Sequence, residues 1–543
     1  MKRKPDAWDA IALAICLLCA VFMAAPLISF FASAFIDAET GKPSLCNFAL
    51  FFGKKYYSRT LLRSLSVGSC TALLSALLAI PTAYITSTHA IRAHRAVGTA
   101  IIISMISPSF IGAYSWVLLL GRSGMLTRLF ASRGIALPTV YGFAGIVAVL
   151  SLKFYPFIYL YVSGAMQRLD PELLEASRGL GCPPLRNIAA MALPLMLPTV
   201  LAGTLLVFMT SFADFGTAML IGEGYRVMPV LIYREFMGEL GGNANLAAAI
   251  AVVMVTVTTA AYLLQRKAVD RLSFRSRSVR RPPAKRKAKG VAGILMHAWV
   301  YTIAFVGTIP QLTVAYTSFL KTNGPVFAKG YSLDSYRAVL TGMGSAMCNT
   351  YGYGLAAVCA IIPLAFAMSY LTVRRRNALT SLLDTCSVFP YVVPGSVLGI
   401  MLLLRFNRPP LVLSGTAAIM IISFTIRRLP HALRSGTAIL RQIGKSPEEA
   451  AQGLGAAPMR AFIDVTSRLM APGILSGAAL SWVAVINELS SSIILYTAST
   501  KTMAIAIYSE VTGADYGTAA ALSVMLTATA IISLALASSL RRA

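Results

Sequence analysis

Glu175-Ala176-Ser177-Arg178-Gly179-Leu180-Gly181 returns as Glu449-Ala450-Ala451-Gln452-Gly453-Leu454-Gly455, 274 positions later. The same offset carries Pro156 onto Pro430 and Pro198 onto Pro472. Each copy is polar and lies between long apolar runs. A polar loop repeated inside a repeated apolar frame points to two equivalent halves, each offering one solvent-side segment of the same design. Two such segments suit a pore moved by an external engine with two equivalent arms.

The apolar frame decides the fold class. Of 543 residues, 57% are hydrophobic and only 13% charged, and the mean hydropathy is +0.71. A water-soluble chain of this length needs far more polar surface to cover its core. Apolar stretches of about 20 residues recur, the length that crosses a bilayer as a helix. A barrel would show short alternating segments instead. The expected fold is therefore an all-α polytopic membrane protein. It has about twelve transmembrane helices in two pseudo-symmetric six-helix halves, residues 1–266 and 291–543, joined by a basic linker, 267–290. The expected helices are 9–35, 61–88, 97–120, 139–164, 195–220 and 245–265, then 293–319, 346–373, 379–404, 411–433, 470–496 and 516–540.

The formal charge of +28 does not point to nucleic acid. Lys and Arg gather in loops between apolar runs, as cytoplasmic loops do beside anionic lipid. Counting from an inner start, Arg92, Arg95, both repeated loops, the linker and Arg374-Arg375-Arg376 share the cytoplasmic side, and both termini are cytoplasmic. Arg122, Arg128 and Arg133 fall outside, so the bias is a majority. From Arg266 to Lys289 eleven basic residues stand against Asp270, with Pro282-Pro283 at the middle, and the linker reads as a tether held against lipid. Met1-Lys2-Arg3-Lys4 and the apolar run after it imitate a signal peptide. The run is about twice the usual core of one, so it reads as an uncleaved first helix. The eight cysteines show no disulfide framework; Cys16 and Cys19 lie inside an apolar helix, where thiols act as small hydrophobes. The four histidines form no metal-ligand pair, and no metal site is assigned.

The repeated loop has its own physical logic. Ser446-Pro447-Glu448-Glu449 reads as a helix start, with Ser as N-cap, Pro at the first helical position and Glu449 in a capping box. Asp170-Pro171-Glu172 starts the first copy two residues earlier in the repeat. A capping box therefore explains Glu449 and leaves Glu175 unexplained; a docking contact to a partner's basic group accounts for both. Gly181 and Gly455 allow a turn at positive φ, and both short helices are expected to stand exposed, apart from the bundle. Gly444-Lys445-Ser446 resembles the end of a P-loop, but Ile439 stands where the first glycine is required and no strand precedes it. Inside the membrane, Lys153 aligns with Arg427 and Asp214 with Glu488. Such charges must face a partner, a water-filled path or an interface. Ion pairing between helices, contact with a solute and an interfacial position all remain open.

The loop resembles the "EAA" motif of binding-protein-dependent ABC importer permeases. Glu175, Ala176, Gly181, Met191, Leu193 and Pro194 match it throughout. Glu449, Ala450, Ala451, Gly455 and Val465 match in the second copy, where Ser467-Arg468 replace Leu-Pro. The resemblance covers nearly the whole chain and is greatest to the fused two-copy permeases of ferric-iron uptake. Ser211-Phe212-Ala213-Asp214-Phe215-Gly216-Thr217 and Asn487-Glu488-Leu489-Ser490 support it, with Asn487 and Ser490 departing from the usual Lys and Pro. It implies a type I importer permease in a bacterial inner membrane. Two copies of an ABC ATPase would dock on Glu175, Ala176, Gly181 and Glu449, Ala450, Gly455. An extracytoplasmic binding protein would deliver the solute; from the reading of the intramembrane charges, Asp214, Asn487 and Glu488 stay candidates for its path or gate. The chain itself would bind no cofactor and no nucleic acid, and would be no enzyme. Permeases for thiamine and phosphonates share the architecture. An ion-coupled secondary transporter would explain twelve helices and buried charges, but not two such loops; a channel or scaffold explains less.

Overall fold

The computed structural model describes residues 6–540 apart from 107, 168, 170–174, 178, 184–185, 187–189, 191–192, 239–241, 273–284, 288, 325 and 376. Among these, nine helices are long and apolar enough to cross a membrane, or eleven if each of two bent pairs counts as one span. Ala417–Gln442 is a further helix of 26 residues. It carries Arg427, Arg428, Arg434 and Arg441, so it stands outside that apolar set.

Two expected spans are broken. Residues 97–120 form His94–Met105 and Phe110–Ala131, bent by 102°, with Pro108 as N-cap of the second piece. Residues 379–404 form Ala378–Val392 and Gly395–Phe406, bent by 113°, with Pro394 at the break. Proline lacks an N–H and drives the residue before it out of the helical region, which accounts for both breaks. Two other expected spans stop early. Leu193–Phe212 ends before Asp214, and Ser467–Ile486 ends before Glu488. Short helices resume at Gly216–Ile221 and Ser492–Leu495, followed by Met228–Met237 and Met503–Thr512.

Contacts group the chain into two compact units, residues 1–51, 232–252 and 317–543, and residues 52–231 and 253–316. The grouping does not follow the halves of the sequence, because the first long helix of each half lies in the unit built mainly from the other. In the first unit, Ala7–Ser33 packs on Ala378–Cys386 and Gly395–Phe406. Trp8 is buried there, and Phe22 meets Phe406 at 5.5 Å between ring centroids. In the second unit, Gly290–Thr317 contributes Trp299, whose Nε1 donates to Thr82 Oγ1 at 3.1 Å. Tyr301 of the same helix donates to the Arg92 carbonyl at 2.9 Å.

Each unit has a three-helix centre made from equivalent parts of the repeat. In one it is Gly344–Arg374, Ala417–Gln442 and Ser467–Ile486; in the other, Lys55–Thr88, Phe143–Met166 and Leu193–Phe212. Apolar burial drives little helix association within lipid, so close backbone approach and interhelical hydrogen bonds carry it. A Cβ on Gly477 would come within 2.5 Å of Ala432 Cα, and Ser481 Oγ donates to the Arg428 carbonyl at 2.8 Å. In the other unit, Ser75 Oγ donates to the Ser151 carbonyl and Ser151 Oγ to the Thr71 carbonyl, at 3.3 and 3.4 Å.

The strands among the described residues are short. His89–Ala90 pairs in parallel with Arg286–Lys287, which ties the end of the linker to the loop after Lys55–Thr88. Leu320–Asn323 and Val326–Tyr331 form a hairpin. Residues 273–284 of the expected tether lie outside the described set.

Candidate functional site

The two repeated loops end their helices in the same way. Gly181 has φ +83° and Gly455 φ +93°. The Leu180 amide donates to the Ala176 carbonyl at 3.0 Å and the Cys182 amide to the Ser177 carbonyl at 3.2 Å. One repeat later, Leu454 donates to Ala450 at 3.1 Å and Ala456 to Ala451 at 3.1 Å. The bond spanning five residues and the left-handed glycine define a Schellman end, which satisfies carbonyls that a helix terminus would otherwise leave open. A Cβ at either glycine would meet nothing within 4 Å, so the requirement for glycine is one of backbone conformation.

This turn throws one residue of each copy into the open. Leu180 is 89% exposed and Leu454 91%. Glu175, Glu449 and Ala450 are also exposed. Nothing in the polar repeat singles out these leucines beyond their place, one residue before the positive-φ glycine in each copy. Asp170-Pro171-Glu172, Arg178 and Met191 lie outside the described residues.

The second copy corrects two expectations. Its helix, Ser446–Gly453, has Lys445 as N-cap with no side-chain cap, so Ser446 does not cap it and Glu449 closes no capping box. Nor does the helix stand apart from the bundle. Glu448 is buried and accepts a hydrogen bond from Tyr370 Oη. Thr466 Oγ1 lies 3.4 Å from its other oxygen, and Arg374 Nε lies 3.8 Å away. Arg374 also donates to the carbonyls of Ile443 and Gly444 at 2.8 and 2.9 Å. Glu448 is thus an anchor, while Glu449 faces outward. The repeat places Leu174 opposite Glu448, so no comparison of the two copies marks it.

The anchor extends to the first helix. Trp8 packs against Tyr370 at 4.3 Å between ring centroids, tilted by 31°, and meets Phe462 edge-on at 4.7 Å. Asp6 caps the helix through the amides of Trp8 and Asp9 and pairs with Arg375. Burial pushes the Asp6 carboxyl up, and the Arg375 guanidinium with the two amides more than offsets this, leaving it below its ordinary 3.8. The departure at Ser467-Arg468 is absorbed by a π-turn, Phe462–Thr466, which runs straight into Ser467–Ile486.

The aligned charges take different environments. Glu488 is 2% exposed. Its Oε2 accepts from Arg427 Nε at 3.1 Å and from Arg428 Nη2. Its Oε1 faces the Ser491 amide at 3.3 Å. Asp214 is half-buried and accepts from the Thr217 amide at 2.8 Å. Both acids therefore receive the amide three residues on, where a broken helix restarts and its first N–H groups lack partners. Of the two, only Glu488 pairs with guanidinium groups among the described residues. Arg428 was missed because its repeat counterpart is Phe154. Gly395 was missed too: a Cβ there would come within 2.5 Å of Arg427 Nη1 and 2.6 Å of Ser490 Cβ. The Pro394-Gly395 pair was its only signal. Asn487 follows the last residue of Ser467–Ile486 as its C-cap. Lys153 lies against the Phe154 ring at 5.4 Å, in a cleft lined by Trp116 and Gln311. Among the described residues, no group of three or more His, Cys, Asp or Glu side chains is gathered to hold a metal ion.

These features define a multi-pass helical membrane protein built on a duplicated, loop-bearing frame. Residues 71–274 and 361–543 match the family described as binding-protein-dependent transport system inner membrane component, and the chain belongs to that family. The ferric transport system permease protein FbpB of Actinobacillus pleuropneumoniae is 26% identical over 527 residues, 94% of this chain and 74% of that protein. The Fe(3+)-transport system permease protein FbpB 2 of Haemophilus influenzae is 24% identical, over 79% of each chain. The inner membrane ABC transporter permease protein YdcU of Escherichia coli is 28% identical, over 42% of this chain and 77% of its own length.

Proposed function

We propose that this chain is the permease of an ATP-driven importer for ferric iron. The observation that carries the transport reading is the pair of equivalent loop helices, each closed by a left-handed glycine and each presenting an exposed leucine and glutamate. An exposed leucine on a polar loop gains free energy when a partner covers it, about 1.5–3 kcal/mol for a full side chain. Two identical offers suit two copies of one ATPase subunit. In this reading the loops and both termini face the cytoplasm, and an extracytoplasmic binding protein delivers the solute to the other face. Nucleotide is bound by the ATPase, and this chain needs no cofactor of its own. Closure of the ATPases drives the permease between inward-open and outward-open states, with Gly181 and Gly455 keeping the docking helices rigid. Iron as cargo is supported by the relatives named for ferric transport, which align along nearly the whole chain.

The test is reconstitution with its cognate ATPase and binding protein. ATP-dependent uptake of radioactive iron into vesicles is expected. Leu180→Glu with Leu454→Glu should abolish ATPase retention on the permease during purification. Uptake without ATP, or full retention in the double variant, refutes the reading.

A further inference from the structure

The Ala417–Gln442 helix carries more cation than its described partners neutralise. Arg427 is committed to Glu488. Arg434 and Arg441 follow at seven-residue intervals, so the three lie along one face, about 10 Å apart per step at 1.5 Å rise per residue. Among the described residues, neither Arg434 nor Arg441 makes an ion pair, and both are exposed. They open onto a cavity of about 430 Å³ that Thr372, Ser381, Asp384 and Thr437 also line. That volume lies within the ~300–1,000 Å³ of small-molecule sites. The lining side chains are mostly polar, with two guanidinium groups, five hydroxyls and one carboxylate, and Leu433 and side-chain carbon supply apolar parts of the wall. Arginines that only set topology sit in loops, whereas Arg434 faces the cavity from within the helix and Arg441 from its last turn. The repeat does not demand them either. The first half has Leu160, Ser163 and Gln167 where the second has Arg434, Thr437 and Arg441.

We propose that this groove binds the oxyanion groups of an anionic solute, a phosphate or a polycarboxylate complex. Each guanidinium offers a planar fork that matches two oxygens of one such group, and Ser381 adds a hydroxyl, while those of Thr372 and Thr437 already donate to the Met368 and Arg434 carbonyls. A bare trivalent cation would be repelled by this wall, while a ferric complex with surplus negative charge is attracted to it. The identification of the cargo as an anionic ferric complex rests on the import reading; anion binding does not. An anionic lipid headgroup has the same oxygen chemistry, so the test must separate the two sources.

The full chain in phosphatidylcholine nanodiscs, free of iron, is titrated with inorganic phosphate and with citrate by calorimetry. Saturable binding of at least one is expected. Losing one charge-assisted contact lowers affinity roughly tenfold or more, so Arg434→Gln with Arg441→Gln should weaken binding roughly a hundredfold. Arg434→Lys with Arg441→Lys should keep part of it, since charge remains and the fork is lost. Unchanged thermal unfolding of the variants confirms that they fold. No saturable binding of either anion, or equal binding in the double Gln variant, overturns the proposal. So does copurified phosphatidylglycerol that the double Gln variant loses while phosphate and citrate fail to bind, because the groove then holds lipid. Citrate bound through these arginines in a chain that imports no iron upholds the anion site and sinks only the ferric reading.

Discussion

Glu488→Gln isolates the charge at the centre of the second half. The amide oxygen can still accept from the Ser491 amide, so the helix restart is kept. What disappears is the negative charge facing Arg427 and Arg428, whose side chains are 17% and 22% exposed while that of Glu488 is 1%. Breaking a buried ion pair from one side costs about 3–5 kcal/mol. The arginine stems can swing their heads partly towards water, so the loss should fall near the lower end. Asp214→Asn in the first half removes a carboxylate that caps a helix and is not fully buried. Asn caps nearly as well as Asp, so that loss should stay under about 1 kcal/mol. The assay is thermal unfolding of both purified variants in one detergent, read as a rank order, because a protein of this size does not unfold in two states. Adding Arg428→Gln to Glu488→Gln should recover part of the loss, so the double variant should unfold above Glu488→Gln alone. Equal shifts for Glu488→Gln and Asp214→Asn, or strict additivity in the double variant, would refute the view that Glu488 is held as a counter-charge.

Gly395→Ala should lower stability by about 1–3 kcal/mol, the usual cost of overpacking, by pushing the added methyl against Arg427; an unfolding temperature unchanged from wild type would show that the guanidinium can move aside. Gly455→Pro should uncouple ATP hydrolysis from uptake, because proline cannot adopt φ +93° and removes the amide that donates to Gln452; normal uptake at normal expression counts against it, and Gly181→Pro makes the matching test in the first loop. Glu448→Leu copies Leu174 of the first repeat and should loosen the second loop by about 2–3 kcal/mol, since Arg374 loses its carboxylate but keeps two carbonyls. Faster protease cleavage within 443–460 is the readout, and an unchanged cleavage rate would remove Glu448 as an anchor.

What could be read in the sequence was whatever depends on near neighbours or on strict repetition. Runs of about 20 apolar residues specify membrane helices because the bilayer leaves the backbone no other partner. The recurrence at 274 positions gave the duplicated frame, and glycine after a short polar helix announced the left-handed turns at Gly181 and Gly455. Proline at 108 and 394 was equally visible, but whether a helix bends or breaks there depends on what surrounds it, and both broke. Other features join residues far apart in the chain, and no local pattern carries them. Ala7–Ser33 packs with helices more than 340 positions away. Glu488 pairs with both Arg427 and Arg428, some 60 positions earlier, because the rotation of Ala417–Gln442 about its axis brings both neighbours to the acid. Glu448 is buried while Glu449 is exposed, since only the docked position of the loop decides which of two adjacent carboxylates meets Tyr370 and Arg374. Composition and spacing constrain what each segment becomes; the rotation and docking of helices, set by glycine contacts and buried charge, decide which side chains meet.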